Sequence, residues 1–260
     1  MQTPEQKPTP EAPASAAPGD ATSSEEHHEK LHPIDDFLQK IRHSLKKMPL
    51  LEKIDDMFYN SVKVAAGLGI QNILKFTVDG KENIPVVGKA ILLTIADNPI
   101  ADMAVIIQLS GRQIHFMMSP KLFKTPGLHT VLDSLGMYRS TKDKDDQEPV
   151  ERTMHYLNVE GALVAMTPEE KLEPDVQVKT VASILKFAIA AKAPIVPIAL
   201  HGTKSLGWKK SLKVKVAAPI EIPSQLQREK KRDERYAKAK EIVDLIHAMK
   251  TELSVPPGTA

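Results

Sequence analysis

At 260 residues, with 42% apolar and 26% charged side chains and no cysteine, the chain is long enough for one large domain or two small ones, and disulfide scaffolds, zinc–thiolate sites and thiol catalysis are excluded. Thirty-five basic against 33 acidic residues leave a net charge of +2, and aromatics make up only 4%, which argues against a dedicated nucleic-acid binder. The balance is uneven: residues 1–30 hold six acids and two lysines, so residues 31–260 carry 33 basic against 27 acidic side chains, +6, which suits anionic ligands or an anionic membrane surface.

The opening Pro/Ala/Ser/Glu-rich stretch, residues 1–30, has too little to bury to offset its ordering entropy and reads as a disordered acidic tail. It lacks the basic start and apolar core of a secretory signal, which together with the absence of cysteine predicts a cytoplasmic protein. Residues 31–75 read as two amphipathic helices. Ile34, Phe37, Leu38, Ile41, Leu45 and Met48 form one apolar stripe ending at Pro49; Leu51, Ile54, Met57, Phe58, Val62 and Leu68 form a second, loosened by Gly67 and Gly69. Such a pair either packs on the domain that follows or lies on a membrane surface.

From residue 76 to 223 short apolar runs alternate with longer helical patterns. Strands are predicted at 90–95, 113–117, 162–166, 194–200 and 212–216, and helices at 101–109, 125–135, 148–160 and 178–192. That alternation predicts an α/β domain, a largely parallel sheet flanked by helices, with ligands at the strand ends. In the last strand Leu212, Val214 and Val216 alternate with Lys213 and Lys215, which reads as one buried and one solvent face. Residues 224–260 close the chain with a charged helix over 225–253, its stripe including Ala237, Ile242, Leu245, Ile246 and Met249. The most apolar window, 182–200, is broken by Lys186, Lys192, Pro194 and Pro197, so a membrane-spanning helix is not expected and membrane association would be peripheral.

Taken in order, several segments resemble the glycerolipid acyltransferase family, which includes lysophosphatidic acid acyltransferases. Asp79-Gly80-Lys81-Glu82-Asn83-Ile84-Pro85 is similar to the Gly-x-Glu-Asn-[IL]-Pro segment that opens the family domain. The run 90–95 occupies the strand that delivers the catalytic His-x-x-x-x-Asp motif. Residues 111–123 are similar to the next strand and its continuation, and Leu135-Gly136 resembles the opening of the second block. Thr167-Pro168-Glu169-Glu170 stands where Phe-Pro-Glu-Gly is expected. Pro194-Ile195-Val196-Pro197-Ile198-Ala199 with Gly202-Thr203 matches the fourth block, and Pro219-Ile220 the terminal Pro-Ile. The resemblance spans residues 70–223, and the order of the blocks carries it.

The resemblance implies a chemistry. A histidine removes the proton of a glycerol hydroxyl as it attacks an acyl thioester, and an aspartate five positions on holds the imidazole in the right tautomer. Asp102 stands at the aspartate position, but Asp97 occupies that of the histidine. An ordinary carboxylic acid, with a pKa of about 3.9, is a far weaker proton acceptor than imidazole at about 6.5. Two nearby carboxylates resist simultaneous ionisation, so burial of the pair is expected to raise one of them.

The phosphate-binding blocks depart as well. Lys142 falls where the family carries an arginine, with Arg139 as the nearby alternative; a lysine keeps the charge but loses the bidentate fork. Pro168 and Glu169 match the third block, whereas Glu170 replaces its glycine and Leu172 its arginine, leaving Lys171 as the adjacent cation. His201 stands at a strand end, while His115 and His155 read as packed or surface histidines. His27, His28 and His32 form no persuasive metal site, and neither a Ser-His-Asp elbow nor a phosphate loop is evident. Lys204, Lys209, Lys210, Lys213 and Lys215 around Trp208 suit an anionic lipid interface or an ordinary basic loop.

Two functions follow from the resemblance. One is transfer of an acyl group from acyl-coenzyme A or acyl carrier protein, as co-substrate, to a lysophospholipid, glycerol phosphate or related hydroxyl acceptor, with Asp97 and Asp102 catalytic and Lys142, Arg139, Pro168, Glu169 and Lys171 binding substrate. The other is a catalytically impaired lipid-binding or regulatory protein on the same scaffold. Neither needs a metal or redox cofactor. Under both, Asp97 and Asp102 should lie beside Glu169 at one end of the sheet.

Overall fold

The computed structural model describes residues 59–60, 63–64, 67, 75–124, 128–141, 143, 145–204 and 211–255. The tail, the first predicted helix and most of the second lie outside them. From the second, Tyr59 is buried in the core, and its hydroxyl oxygen accepts a 3.1 Å hydrogen bond from the Ile114 amide.

Seven strands and six α-helices are described: β1 (Lys75–Asp79), β2 (Ala90–Leu93), α1 (Pro99–Ile106), β3 (Ile114–Met118), α2 (Pro120–Phe123), α3 (Leu128–Ser134), β4 (Tyr138–Arg139), α4 (Glu148–Asn158), β5 (Leu163–Met166), α5 (Pro174–Ala191), β6 (Ile195–His201), β7 (Ser211–Val216) and α6 (Arg232–Ser254). The sheet order is β1-β7-β6-β2-β5-β3-β4, and every neighbouring pair is parallel except β6 with β7. The predicted α/β class and parallel core therefore hold, with β1, β4 and α2 as additions to the predicted elements, the last two too short to read from periodicity.

Burial on both faces explains why the central strands are continuous apolar runs. In β2, Ala90 and Leu92 pack with Met103, Val105 and Ile106 of α1 on one face. Ile91 and Leu93 pack on the other face with Val181 and Leu185 of α5 and Ile242 and Ile246 of α6. Period two sends alternate residues of β2 to opposite layers, both of them apolar.

The predicted alternation of β7 holds, with Leu212, Val214 and Val216 buried and Lys213 and Lys215 half-buried on the other face. Its lysines cover the end of α6: Lys213 Nζ donates to the carbonyls of Leu253 at 2.8 Å and Val255 at 3.1 Å, and Lys215 pairs with Glu252 at 2.6 Å. A helix C-terminus leaves carbonyls without intrahelical donors, and a cation there also meets the negative end of the helix dipole.

After β6 the chain turns at Gly202, whose φ of 98° lies in the left-handed region; a Cβ there would come within 2.4 Å of the Ser211 carbonyl oxygen. Gly202→Ala is expected to destabilise the fold by about 1–3 kcal/mol, the usual cost of such backbone strain, with the added clash toward the upper end. Urea unfolding checks this; unchanged stability would mean that the turn relaxes freely.

Candidate active site

The carboxyl ends of β2, β5 and β6 meet at one edge of the sheet, where open parallel sheets hold ligands. After β2, Asn98 caps α1: its side-chain oxygen accepts from the Ala101 amide at 3.3 Å, and Pro99 follows at the first helical position. Asp102 lies in the first turn and reaches back, its Oδ2 accepting from the Asn98 amide at 3.3 Å. The cap thus holds the Asp102 side chain beneath the loop that carries Asp97.

Asp102 is fully buried, and its other carboxylate oxygen, Oδ1, has no hydrogen-bond donor. The buried hydroxyl of Thr203 lies close enough to favour the charged form without forming a hydrogen bond of ordinary geometry, and Thr94 Oγ1 is likewise unpartnered. Burial pushes the Asp102 carboxyl up to about 6 against the opposing pull of Thr203, the Asn98 amide and Lys250. Asp97 contributes least to the rise. One carboxyl of the pair is raised, but desolvation, not repulsion between the two acids, is the main cause.

The loop after β5 is zipped to the loop after β2. The Ala96 amide donates to the Pro168 carbonyl at 2.7 Å, the Glu170 amide donates to the Ala96 carbonyl at 2.9 Å, and Ala96 forms a parallel bridge with Glu169. Asp97, Asp102, Pro168 and Glu169 therefore share one end of the sheet.

A further cation occupies this edge. Lys250, from α6, places its Nζ 3.4 Å from Asp97 Oδ2 and 2.8 Å from Glu170 Oε2, with the lysine side chain only 13% exposed. One turn earlier on α6, His247 meets the same acid, its Nδ1 lying 3.7 Å from Glu170 Oε1. The far side of that ring is fixed by Gln177. Gln177 Nε2 donates to the carbonyls of Glu170 and Leu172 at 2.9 and 3.0 Å, so its Oε1 is an acceptor and the His247 Nε2 at 3.1 Å must be the donor. Both ring nitrogens of His247 face protein groups. A groove of about 660 Å³ between α5 and α6 adjoins this network, lined by Leu172, Val178, Tyr236 and Val243 as well as Glu170 and His247.

Among the described residues, neither Arg139 nor Lys171 pairs with Asp97. Arg139 pairs with Asp146 and, at 2.9 Å, with Glu148. Lys142 lies outside the described residues. Lys171 is exposed beside Glu170 and makes no ion pair among the described residues. His115 donates from Nδ1 to the Gly136 carbonyl at 3.1 Å and stacks on Tyr156 with ring centroids 3.7 Å apart, a packed histidine whose pKa burial pushes down. His155 is 3.2 Å from Glu160, and His201 ends β6 in register with Lys213, without a hydrogen bond to either Asp97 or Asp102 among the described residues. Lys204 is exposed; Trp208, Lys209 and Lys210 lie outside the described residues.

Lys250, His247 and Gln177 escaped sequence reading. A partial signal exists: His247 and Lys250 stand three residues apart on α6, bordering the buried stripe of Ile242, Ile246 and Met249. Nothing in that spacing names the loop they meet. Among the described residues no helix is long and apolar enough to cross a membrane.

Residues 75–201 match the acyltransferase family. No curated protein sequence matches the chain. Among solved structures, the fold is similar to that of the 1-acyl-sn-glycerophosphate (LPA) acyltransferase PlsC from Thermotoga maritima, with a TM-score of 0.57 and 17% identity over 86% of this chain and 90% of that one. Residues 75–201 thus carry an acyltransferase family match, on a fold similar to that of this LPA acyltransferase.

Proposed function

We propose that this protein is a lipid-binding or regulatory member of the acyltransferase family, which binds an acyl donor or a lysolipid but transfers acyl groups poorly. The family and fold are those of acyl transfer. The observation that carries the proposal is the pairing of Asp97 with Lys250: the position that should offer a free imidazole to a substrate hydroxyl holds a carboxylate already bound to an internal ammonium. Asp102, the orienting acid, is too deeply buried to take over as the base. Glu170, where the family has glycine, adds negative charge beside any phosphate, which disfavours an anionic acceptor. Loss of general-base assistance costs roughly 100-fold to 10,000-fold in rate.

The lipid contact we propose combines the groove between α5 and α6, lined by both apolar and charged side chains, with an anionic membrane surface met peripherally through Lys204, Trp208, Lys209 and Lys210. Purified protein incubated with acyl-coenzyme A or acyl carrier protein donors and lysophosphatidic acid or glycerol phosphate is expected to give product at least about 100-fold more slowly than a histidine-bearing family member. Native mass spectrometry of the same mixtures is expected to show retained acyl donor or lysolipid. Steady transfer at ordinary enzymatic rates, lost in Asp97→Ala, would overturn this reading in favour of a working transferase; absence of both transfer and binding would overturn the lipid assignment.

A further inference from the structure

We propose that Lys250 closes the acyltransferase site from within the chain, and that positions 97 and 170 are matched to its ammonium. Two departures from the family pattern, an acid at the histidine position and an acid at the glycine position, look unrelated along the sequence, 73 residues apart. In space they share one partner: Lys250 Nζ lies 3.4 Å from Asp97 Oδ2 and 2.8 Å from Glu170 Oε2. The backbone zipper between Ala96 and Glu170 holds the two loops together whatever the side chains do. Two carboxylates brought close in this way repel one another unless a cation sits between them, and Lys250 is that cation.

The clasp comes from outside the matched domain. Residues 75–201 carry the family resemblance, whereas α6 begins at Arg232. The same helix is pinned twice more near its end, through His247 against Gln177 and through Lys213 and Lys215 against Leu253 and Glu252. With its last turns fixed on both sides of Lys250, α6 holds the stem of that lysine beside both loops. Through Lys250 the helix acts as a strap on the loops after β2 and β5, and releasing it is the step that would admit reagents to Asp102 and its neighbour Thr203, since the Lys250 ammonium lies close enough to Asp102 to favour its charged form. The clasp relies on the preceding proposal only in taking Asp97 as the family's catalytic position; its test measures opening, not transfer.

Because the chain has no cysteine, a single engineered thiol reports on opening without background. Thr203→Cys places that thiol at a fully buried position beside Asp102, and Ser110→Cys places a control at a buried position beyond the other end of α1. Thiol-reagent labelling of Thr203→Cys is expected to accelerate about tenfold or more when Lys250→Met is added, the scale of one lost hydrogen bond to a charged group. Lys250→Arg should restore slow labelling, and the Ser110→Cys control should not change. Equal rates with and without Lys250→Met, or equal acceleration at both thiols, would overturn the clasp. If Lys250→Met does not fold, Asp97→Asn with Glu170→Gln breaks the same contacts from the other side, with the same expected acceleration. Acyl transfer by the wild-type protein would overturn the proposed function yet leave the labelling comparison intact.

Discussion

Asp97→His combined with Glu170→Gly and Lys250→Met is expected to raise acyl transfer by at least about 100-fold over the wild-type chain, the lower end of what a positioned general base contributes. The receptor for the new imidazole already exists. Asp102 Oδ1 is buried, unpartnered and five positions along the chain, held by the cap of α1. An imidazole N–H directed at that oxygen would leave the other ring nitrogen free to take a proton from a hydroxyl acceptor. Asp97→His alone is expected to gain much less. The Lys250 ammonium would remain bound to Glu170 beside the new ring, and a neighbouring positive charge disfavours the protonated imidazole that forms during the reaction. Glu170→Gly also removes a carboxylate from the place where an anionic acceptor would bind. The measurement is kcat/KM with coenzyme A and acyl-carrier-protein donors, with circular dichroism to confirm folding. A folded triple variant with no gain on any donor or acceptor would mean that the scaffold has lost substrate binding as well as its base. Where a gain is seen, the rate should rise with pH as the imidazole loses its proton, around its usual pKa of about 6.5.

Much of the architecture was readable because it rests on local rules. The central strands are unbroken apolar runs as they are buried on both faces, and the Asn98-Pro99 pair marks the start of α1 by capping chemistry alone. The juxtaposition of Asp97 and Asp102 with Glu169 followed from the order of family-like blocks. What escaped the sequence was contact between charged residues far apart. Lys250 and Asp97 are separated by 153 positions, and a lysine in a charged helix reads as solvated until the helix is seen packed on the sheet with its last turns at the loops after β2 and β5. Lys213 and Lys215 were legible only in part for the same reason, since period-two alternation shows that two side chains leave the core but not that a helix end waits for them. Arg139 has the charge of a phosphate contact, and only the folded loop shows that Asp146 and Glu148 already hold it.

Asp102→Asn is expected to stabilise the protein above neutral pH, by up to about 3 kcal/mol, since roughly two pKa units separate its folded value of about 6 from the ordinary 3.8 and each unit is worth 1.36 kcal/mol. Below the ordinary value the carboxyl is protonated whether the chain is folded or not, and it contributes no pH dependence. Between that value and about 6 the folded protein holds a proton that the unfolded chain has released, so stability falls as pH rises. Above about 6 the native state must keep a buried carboxylate whose Oδ1 has no donor, and the full cost applies. Asparagine keeps the shape and the Oδ2 contact with the Asn98 amide while removing the charge. The advantage of Asp102→Asn should therefore vanish near pH 4, grow through pH 5 to 6 and level off at pH 7 to 8, as urea unfolding at each pH would show. A pH-independent difference, or a variant less stable at pH 8, would mean that Asp102 is better compensated than its surroundings indicate. A buried acid with a free oxygen is a cost that packing alone does not explain; it is the kind of strain found where a fold keeps a group ready for a partner, and the family resemblance implies an imidazole at position 97 as that partner.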